Sequence, residues 1–239
     1  MNKKAIIIGA SSGMGRGVAE LLADHGYQVA ITGRRLNLLS EISDSRPGSF
    51  IISGFDITEL DIVPGKLEEL VKELGGLDLF VISAGGGDLN ETLDFDTEKK
   101  MINLNVAAFT QLADWAYRYF RNQGFGQLAA ISSIAGLRGL RHAPAYNATK
   151  AYQISYLEAL RQKSNHLKLP ITVTDIRPGF VDTPNAKGEG RFWQASVRKA
   201  SSQIYTAIMA KKKVIYITKR WRLIAMVMKL VPRFIYERV

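Results

Sequence analysis

The chain has 239 residues, 46% of them hydrophobic, with 21 glycines and no cysteine. That is enough for one α/β domain with a sizeable core, and it excludes disulfides and thiolate metal sites. The net charge of +10 is a tail feature: nine lysines and arginines stand against Glu237 between Lys211 and Val239, leaving about +2 for the first 210 residues.

Ala5-Ile6-Ile7-Ile8 is a short apolar run, expected to form a buried strand. Gly9-Ala10-Ser11-Ser12-Gly13-Met14-Gly15 follows at once, and Arg16 to His25 has helical periodicity that stops at Gly26. Strand, glycine turn and helix form the setting of a dinucleotide fingerprint, in which glycines let the backbone approach a pyrophosphate and the helix N-terminus offers free N–H groups. Gln28 to Thr32 reads as the second strand. Gly33 stands where an acidic residue would bind a ribose 2′-OH, and Arg34 and Arg35 come next. An arginine pairs with a 2′-phosphate that a carboxylate would repel, so the stretch favours NADP(H) over NAD(H). The alternative is a solvated loop arginine. Arg16 is a second cation near the same region.

Leu36 to Ile42 is a predicted helix, Phe50-Ile51-Ile52 a strand ending near Asp56-Ile57, Leu60 to Leu74 a helix closed by Gly75-Gly76, and Leu77 to Ser83 a fourth strand. Ala84-Gly85 opens a permissive turn at that strand's end. Thr97 to Asn122 has long helical periodicity and contains Asn105, which needs a partner if buried. The apolar run ending at Ile131 is the fifth strand, Thr149 to Lys163 lies in a helix, Ile171 to Ile176 is the sixth strand, and Phe180 to Arg191 is a polar loop long enough for a substrate lid. Phe192 to Ala210 reads as a helix and Lys213 to Thr218 as a seventh strand. The alternation implies a Rossmann-like, doubly wound parallel sheet of about seven strands with helices on both faces, in one domain spanning 1–239.

Ser133 ends the fifth strand, and Tyr146 and Lys150 are four apart, on one face of a helix. A free tyrosine has a pKa of roughly 10. A lysine one turn away favours the phenolate and is expected to lower that value, while Ser133 could hydrogen-bond a substrate oxygen as charge develops on it. Three scattered histidines (His25, His142, His166) make no ligand cluster, so no metal is expected. Met1-Asn2-Lys3-Lys4 leads straight into a strand-like run, so no signal peptide is expected. With no apolar run long enough to span a bilayer, a reducing cytoplasm fits.

In order, Gly9-x-x-x-Gly13-x-Gly15, Asp56, Ala84-Gly85, Asn105, Ser132-Ser133, Tyr146-x-x-x-Lys150 and Pro178-Gly179 with Thr183 resemble the single-domain short-chain dehydrogenase/reductase family over roughly residues 4 to 184. The resemblance implies an NADP(H)-dependent oxidoreductase acting on a small carbonyl or alcohol. Tyr146 would protonate the carbonyl oxygen, and Lys150 would bind the nicotinamide ribose and lower the Tyr146 pKa. Ser133, thirteen residues before the tyrosine, would hold the substrate oxygen, and Asn105 would hold a water linking Lys150 to solvent. Gly9, Ser11, Ser12, Gly13, Met14 and Gly15 would cradle the cofactor, with Asp56 and Ile57 at the adenine, Arg34 at the 2′-phosphate, and Ala84, Gly85, Pro178, Gly179, Val181 and Thr183 along the nicotinamide half. One departure is Ile82-Ser83 where the family usually has Asn-Asn, which bears on the adenine side and not on the chemistry. The family's habit is a homodimer or homotetramer. The alternative function is a non-catalytic NADP-binding sensor or scaffold of the same fold.

Residues 219–239 form a basic and apolar appendage, Lys219-Arg220-Trp221-Arg222 before Leu223 to Met228 and then Lys229 to Tyr236. Flanking Trp, Tyr, Lys and Arg suit a helix lying at an anionic lipid surface, which would make a lipophilic ketone or aldehyde the substrate. An oligomer interface or a helix covering the substrate pocket is the alternative. Nucleic acid is a poorer fit, because the charges interleave with bulky aliphatics.

Overall fold

A computed structural model describes residues 2–183 and 192–238. Part of the expected 180–191 lid, residues 184–191, lies outside the described residues. The elements run β1 (Lys4–Ile8), α1 (Gly13–Asp24), β2 (Gln28–Gly33), α2 (Leu36–Asp44), β3 (Phe50–Gly54), α3 (Val63–Leu74), β4 (Leu79–Ile82) and α4 (Phe95–Ile102). A π-helical segment (Asn103–Ala108) joins α4 to α5 (Phe109–Gln123). Then come β5 (Gly126–Ile131), a 3₁₀ turn (Ile134–Leu137), α6 (Pro144–His166), β6 (Ile171–Pro178), α7 (Val197–Met209), β7 (Val214–Ile217), α8 (Lys219–Leu230) and α9 (Arg233–Tyr236).

The seven strands form one parallel sheet in the order β3-β2-β1-β4-β5-β6-β7. Side chains alternate across a strand, so each strand feeds two cores. Ile6, Ile8, Phe80, Ile82, Leu128 and Ala130 face α3, α5 and α6, packing on Leu67, Leu112 and Leu157. Ala5, Ile7, Val29, Ile31, Val81 and Ala129 face α1, α2 and α7, packing on Val18, Leu39 and Ile204. Strands buried on both faces read as continuous apolar runs, which is why β1 and β4 were plain in the sequence.

The strand order reverses between β1 and β4, and the C-terminal edge there opens a crevice. Ser83 N and Ala84 N both donate to Ile8 O at 2.8 Å, so the loops after β1 and β4 touch. Gly9 has φ +86°, and a β-carbon on it would lie 2.6 Å from Ala84 N. Only glycine fits that approach.

Three expected helices differ in extent. The one expected from Leu60 starts at Val63, with Pro64 in its first turn. The 97–122 periodicity is not one α-helix: the π-helical segment interrupts it, adding width to one turn and carrying Asn105 toward the sheet edge. The helix expected from Phe192 starts at Val197, because Ser196 caps it by accepting from Lys199 N. Phe192 and Trp193 instead join an aromatic cluster, and Ala195 bridges to Val181.

Candidate active site

The crevice is a cleft of about 1450 Å³. At one end lie Gly9, Ser11, Ser12, Gly13 and Met14 from the glycine turn, with Arg34, Arg35, Asp56 and Ile57 from the ends of β2 and β3. Ala84 and Gly85 form its floor, and Pro178, Gly179, Val181 and Thr183 follow β6 along the other wall. Gly15 sits in the first turn of α1, buried against Gly9 O. Thr183 packs beside Gly13, where an added β-carbon would meet its methyl at 3.3 Å. The sequence-predicted cofactor residues therefore gather around this one cleft.

The basic end differs in detail from the sequence expectation. Arg34 is 77% exposed and stands 3.4 Å from Asp56 Oδ2. Arg35, also exposed, folds onto the glycine turn, its Nη2 donating to Ser11 Oγ and Ser12 Oγ at 2.8 Å each. Both guanidinium groups thus border the end of β2, and Arg35 belongs with the candidate residues. Adjacency to Arg34 was its only signal. Arg16 is engaged with Glu20 at 2.9 Å. Partial burial opposes ionisation of Asp56, but hydrogen bonds from Thr58 N and Oγ1, with Arg34, more than offset it and hold the carboxyl below its ordinary value.

At the other end, Tyr146 and Lys150 lie one turn apart on α6, with Lys150 Nζ 5.9 Å from the Tyr146 ring centroid. Ser133 follows β5. Its Oγ accepts from Ala135 N at 3.1 Å and its side chain hydrogen-bonds the Tyr146 phenol. Ser132 faces away: its Oγ is shared between Asp175 Oδ1 (2.5 Å) and Ile176 O (3.1 Å), and Asp175 also takes Arg177 Nε at 2.7 Å. One serine therefore braces the sheet and its neighbour meets the tyrosine.

The expected lowering of the Tyr146 pKa is not what the chain produces. Burial pushes the phenol up, and the Ser133 hydrogen bond only partly opposes this. Lys150 is itself buried, and burial pushes its pKa down to about 8, with Asp175 pulling it back up. A lysine that is costly to charge exerts a weaker pull on its neighbour.

Asn105 is fully buried. Its Nδ2 donates to Gly86 O (2.7 Å) and Thr149 Oγ1 (3.2 Å), and its Oδ1 accepts from Gly86 N (3.2 Å). It reaches Lys150 through a residue the sequence reading passed over. Lys150 Nζ donates to Gln153 Oε1 at 2.9 Å, and Gln153 Nε2 donates to Asn105 O at 2.9 Å. The signal was present: an amide three residues after Lys150 shares its helix face.

The end of the cleft beyond Tyr146 is lined by Leu89, Leu140, Phe180 and Phe192, and by Trp221, Ile224 and Met228 of α8. Trp221 is buried edge-on to Phe180 at 5.4 Å and stands so close over Gly179 that a β-carbon there would enter its indole ring. Of the two alternatives for the tail, covering the pocket describes this face of α8. No group of three or more metal-ligating side chains occurs among the described residues, and no helix among them is long and apolar enough to cross a membrane.

The cleft suits a dinucleotide: a glycine cradle at a helix N-terminus, two arginines at the β2 end, and a Ser-Tyr-Lys group 13 residues and one helical turn apart in sequence. A family model described as short chain dehydrogenase matches residues 3–192. An uncharacterized oxidoreductase of Myxococcus xanthus is 35% identical over 184 residues, covering 75% of this chain and 72% of that protein. A 3-oxoacyl-[acyl-carrier-protein] reductase of Chlamydia muridarum is 30% identical over 194 residues, covering 79% and 77%. Among solved structures, a short-chain type dehydrogenase/reductase from Mycobacterium ulcerans superposes with TM-score 0.80 at 22% identity over 91% of this chain and 88% of that one. A structure of ElxO with NADP bound gives 0.76 at 23% identity over 91% and 97%. The chain belongs to the short-chain dehydrogenase/reductase family of oxidoreductases.

Proposed function

We propose that the protein is an NADPH-dependent reductase of lipophilic ketones or aldehydes, built as one catalytic domain with residues 219–239 as an appendage. The observation that carries this reading is the single cleft with arginines at one end, Ser133, Tyr146 and Lys150 in the middle, and an aromatic and aliphatic wall at the other end. Arg34 and Arg35 present guanidinium groups where a 2′-phosphate would lie in this fold, and the NADP-bound neighbour is consistent with that choice. When bound, NADPH would supply the hydride to the carbonyl carbon.

The chain's own residues handle position and proton. Ser133 donates to the substrate oxygen as it gains negative charge. Tyr146 gives its phenolic proton to that oxygen, yielding the alcohol. The burial that raises its pKa keeps the phenol protonated, the form that reduction requires. Lys150, held by Gln153, stands beside the tyrosinate formed and stabilises its charge while a proton returns. Phe180, Phe192 and Trp221 exclude water and favour an apolar substrate body.

The family habit of homodimers and homotetramers supports an oligomer, which light scattering on the full chain checks. The reaction is tested by following loss of the reduced nicotinamide absorbance, with NADPH and with NADH, over carbonyls from short polar to long-chain, and with Tyr146→Phe alongside. Turnover that prefers NADPH and long apolar substrates and vanishes in Tyr146→Phe is expected. Preference for NADH would overturn the arginine argument. NADPH binding without turnover on any carbonyl would revive the sensor reading.

A further inference from the structure

The tail helices have two faces, and only one belongs to the cleft. Trp221, Ala225 and Met228 are spaced by four and three residues and turn inward. Leu223, Val227 and Leu230 have the same spacing on the opposite side, with Met226 beside them, and are exposed, Leu223 to 63% and Leu230 to 78%. Phe234 and Ile235 of α9, which follows at once, are exposed as well, Phe234 to 66%.

This outer face is firmly held. Arg138 Nη1 donates to Met228 O and Val231 O at 3.0 Å each, and its guanidinium lies 4.2 Å from the Tyr236 ring centroid. Trp221 pins the start of α8. The apolar residues are therefore presented on a fixed platform, and single exposed hydrophobics would need no explanation whereas a contiguous set does.

The rim of the platform is cationic. Arg222 and Lys229, seven apart, run along one side of α8. Lys219, Arg220, Arg233 and Arg238 surround its ends, with Glu237 as the one acid between 219 and 238. No carboxylate among the described residues pairs with Lys219, Arg222, Lys229 or Arg233. The family match ends at residue 192, so this platform lies outside the part of the chain shared with the family model.

We propose that the outer face of α8 and α9 docks on an anionic lipid bilayer, its aliphatic and aromatic side chains entering the acyl boundary and its lysines and arginines meeting lipid phosphates. Charge decides between this occupant and a second copy of the chain. A two-fold contact through this face would set the same row of cations against itself, whereas an anionic surface neutralises every one of them. The inner face of the same helix lines the cleft, so docking sets the substrate end beside the membrane. That last step rests on the proposed reductase reading, and it makes membrane-dissolved carbonyls the substrate class.

The test is co-sedimentation of the full chain with vesicles of phosphatidylcholine alone and with phosphatidylserine added, at low and high salt. Binding to the serine-lipid vesicles that weakens with salt is expected. Arg222→Gln with Lys229→Gln should weaken partition by about 25-fold, from a factor of about five per cation at an anionic surface. Leu230→Glu with Phe234→Glu should weaken it further, by removing apolar contact and adding repulsion. Thermal melting of each variant shows that it is folded, as expected for exposed positions. Equal sedimentation with both lipids, or variants that sediment like the parent, would overturn the proposal. A parent oligomer that dissociates in Leu230→Glu/Phe234→Glu would assign the face to self-association and overturn it too. Because sedimentation needs no turnover, an inactive chain that still binds lipid refutes the reductase reading alone, and an active chain that ignores lipid refutes the docking alone.

Discussion

Replacing Gln153 by leucine removes the amide that joins Lys150 to Asn105. The lysine loses a charge-assisted hydrogen bond of 2.9 Å in a fully enclosed position. Such a bond is worth about 1.5–3 kcal/mol, which corresponds to about 1–2 pH units. The Lys150 pKa of about 8 in the parent should then fall to roughly 6–7. The alkaline limb of NADPH-dependent reduction should move down with it, because the ammonium that stabilises the tyrosinate is lost at lower pH. Tyr146 does not obscure this limb, since burial raises its own pKa above the ordinary value. The Asn105 carbonyl loses the same amide, at about 1–3 kcal/mol, so the two losses together should lower Tm by roughly 5–24 °C for a chain of this size. Gln153→Glu supplies a nearly isosteric control of opposite sign: a carboxylate beside Lys150 favours the ammonium and should move the limb up. The measurement is kcat against pH for the three proteins, with melting curves alongside. Limbs that stay in place, or that move together in one direction, would refute the idea that Gln153 sets the charge on Lys150.

At the cofactor end, Arg34→Asp with Arg35→Ser should raise KM for NADPH about 10–100-fold, the loss of one or two charged hydrogen bonds, and change KM for NADH far less; steady-state kinetics with both cofactors check it. Gly9→Ala places a β-carbon 2.6 Å from Ala84 N at a backbone angle of +86°, and should abolish NADPH binding in calorimetry or prevent folding. Trp221→Ala empties a buried indole site against Gly179, Phe180 and Phe192 and should lower stability by about 3–5 kcal/mol in urea titrations. Lys150 has a folded-state pKa of about 8 against an ordinary 10.5, so its ammonium destabilises the fold in full below pH 8 and the cost fades as pH rises to 10.5. Unfolding free energies of the parent relative to Lys150→Met should therefore rise by about 3 kcal/mol between pH 7 and pH 10.5, and a flat difference would refute the buried charge.

The strands were legible because a doubly covered parallel sheet demands uninterrupted apolar runs, and Ala5 to Ile8 or Leu79 to Ile82 admit no other use. The glycine turn and the Tyr146 and Lys150 spacing were legible because one turn of helix and one tight loop are local geometry. What the sequence left open depends on contacts between distant segments. The spacing to Tyr146 picks out Ser133 but not the partner of Ser132, which is Asp175, forty-three residues on. Gln153 matters because the π-helical segment carries the Asn105 carbonyl to it. Arg35 and Arg34 part ways because Ser11 and Ser12 offer acceptors to the first and Asp56 pairs with the second. The direction of the Tyr146 shift follows from burial, which no spacing of residues records. The tail shows the division most plainly. Its charges and apolar residues were countable in the sequence, but only the packing of Trp221 on Gly179 and the reach of Arg138 decide which face closes the cleft and which meets the outside.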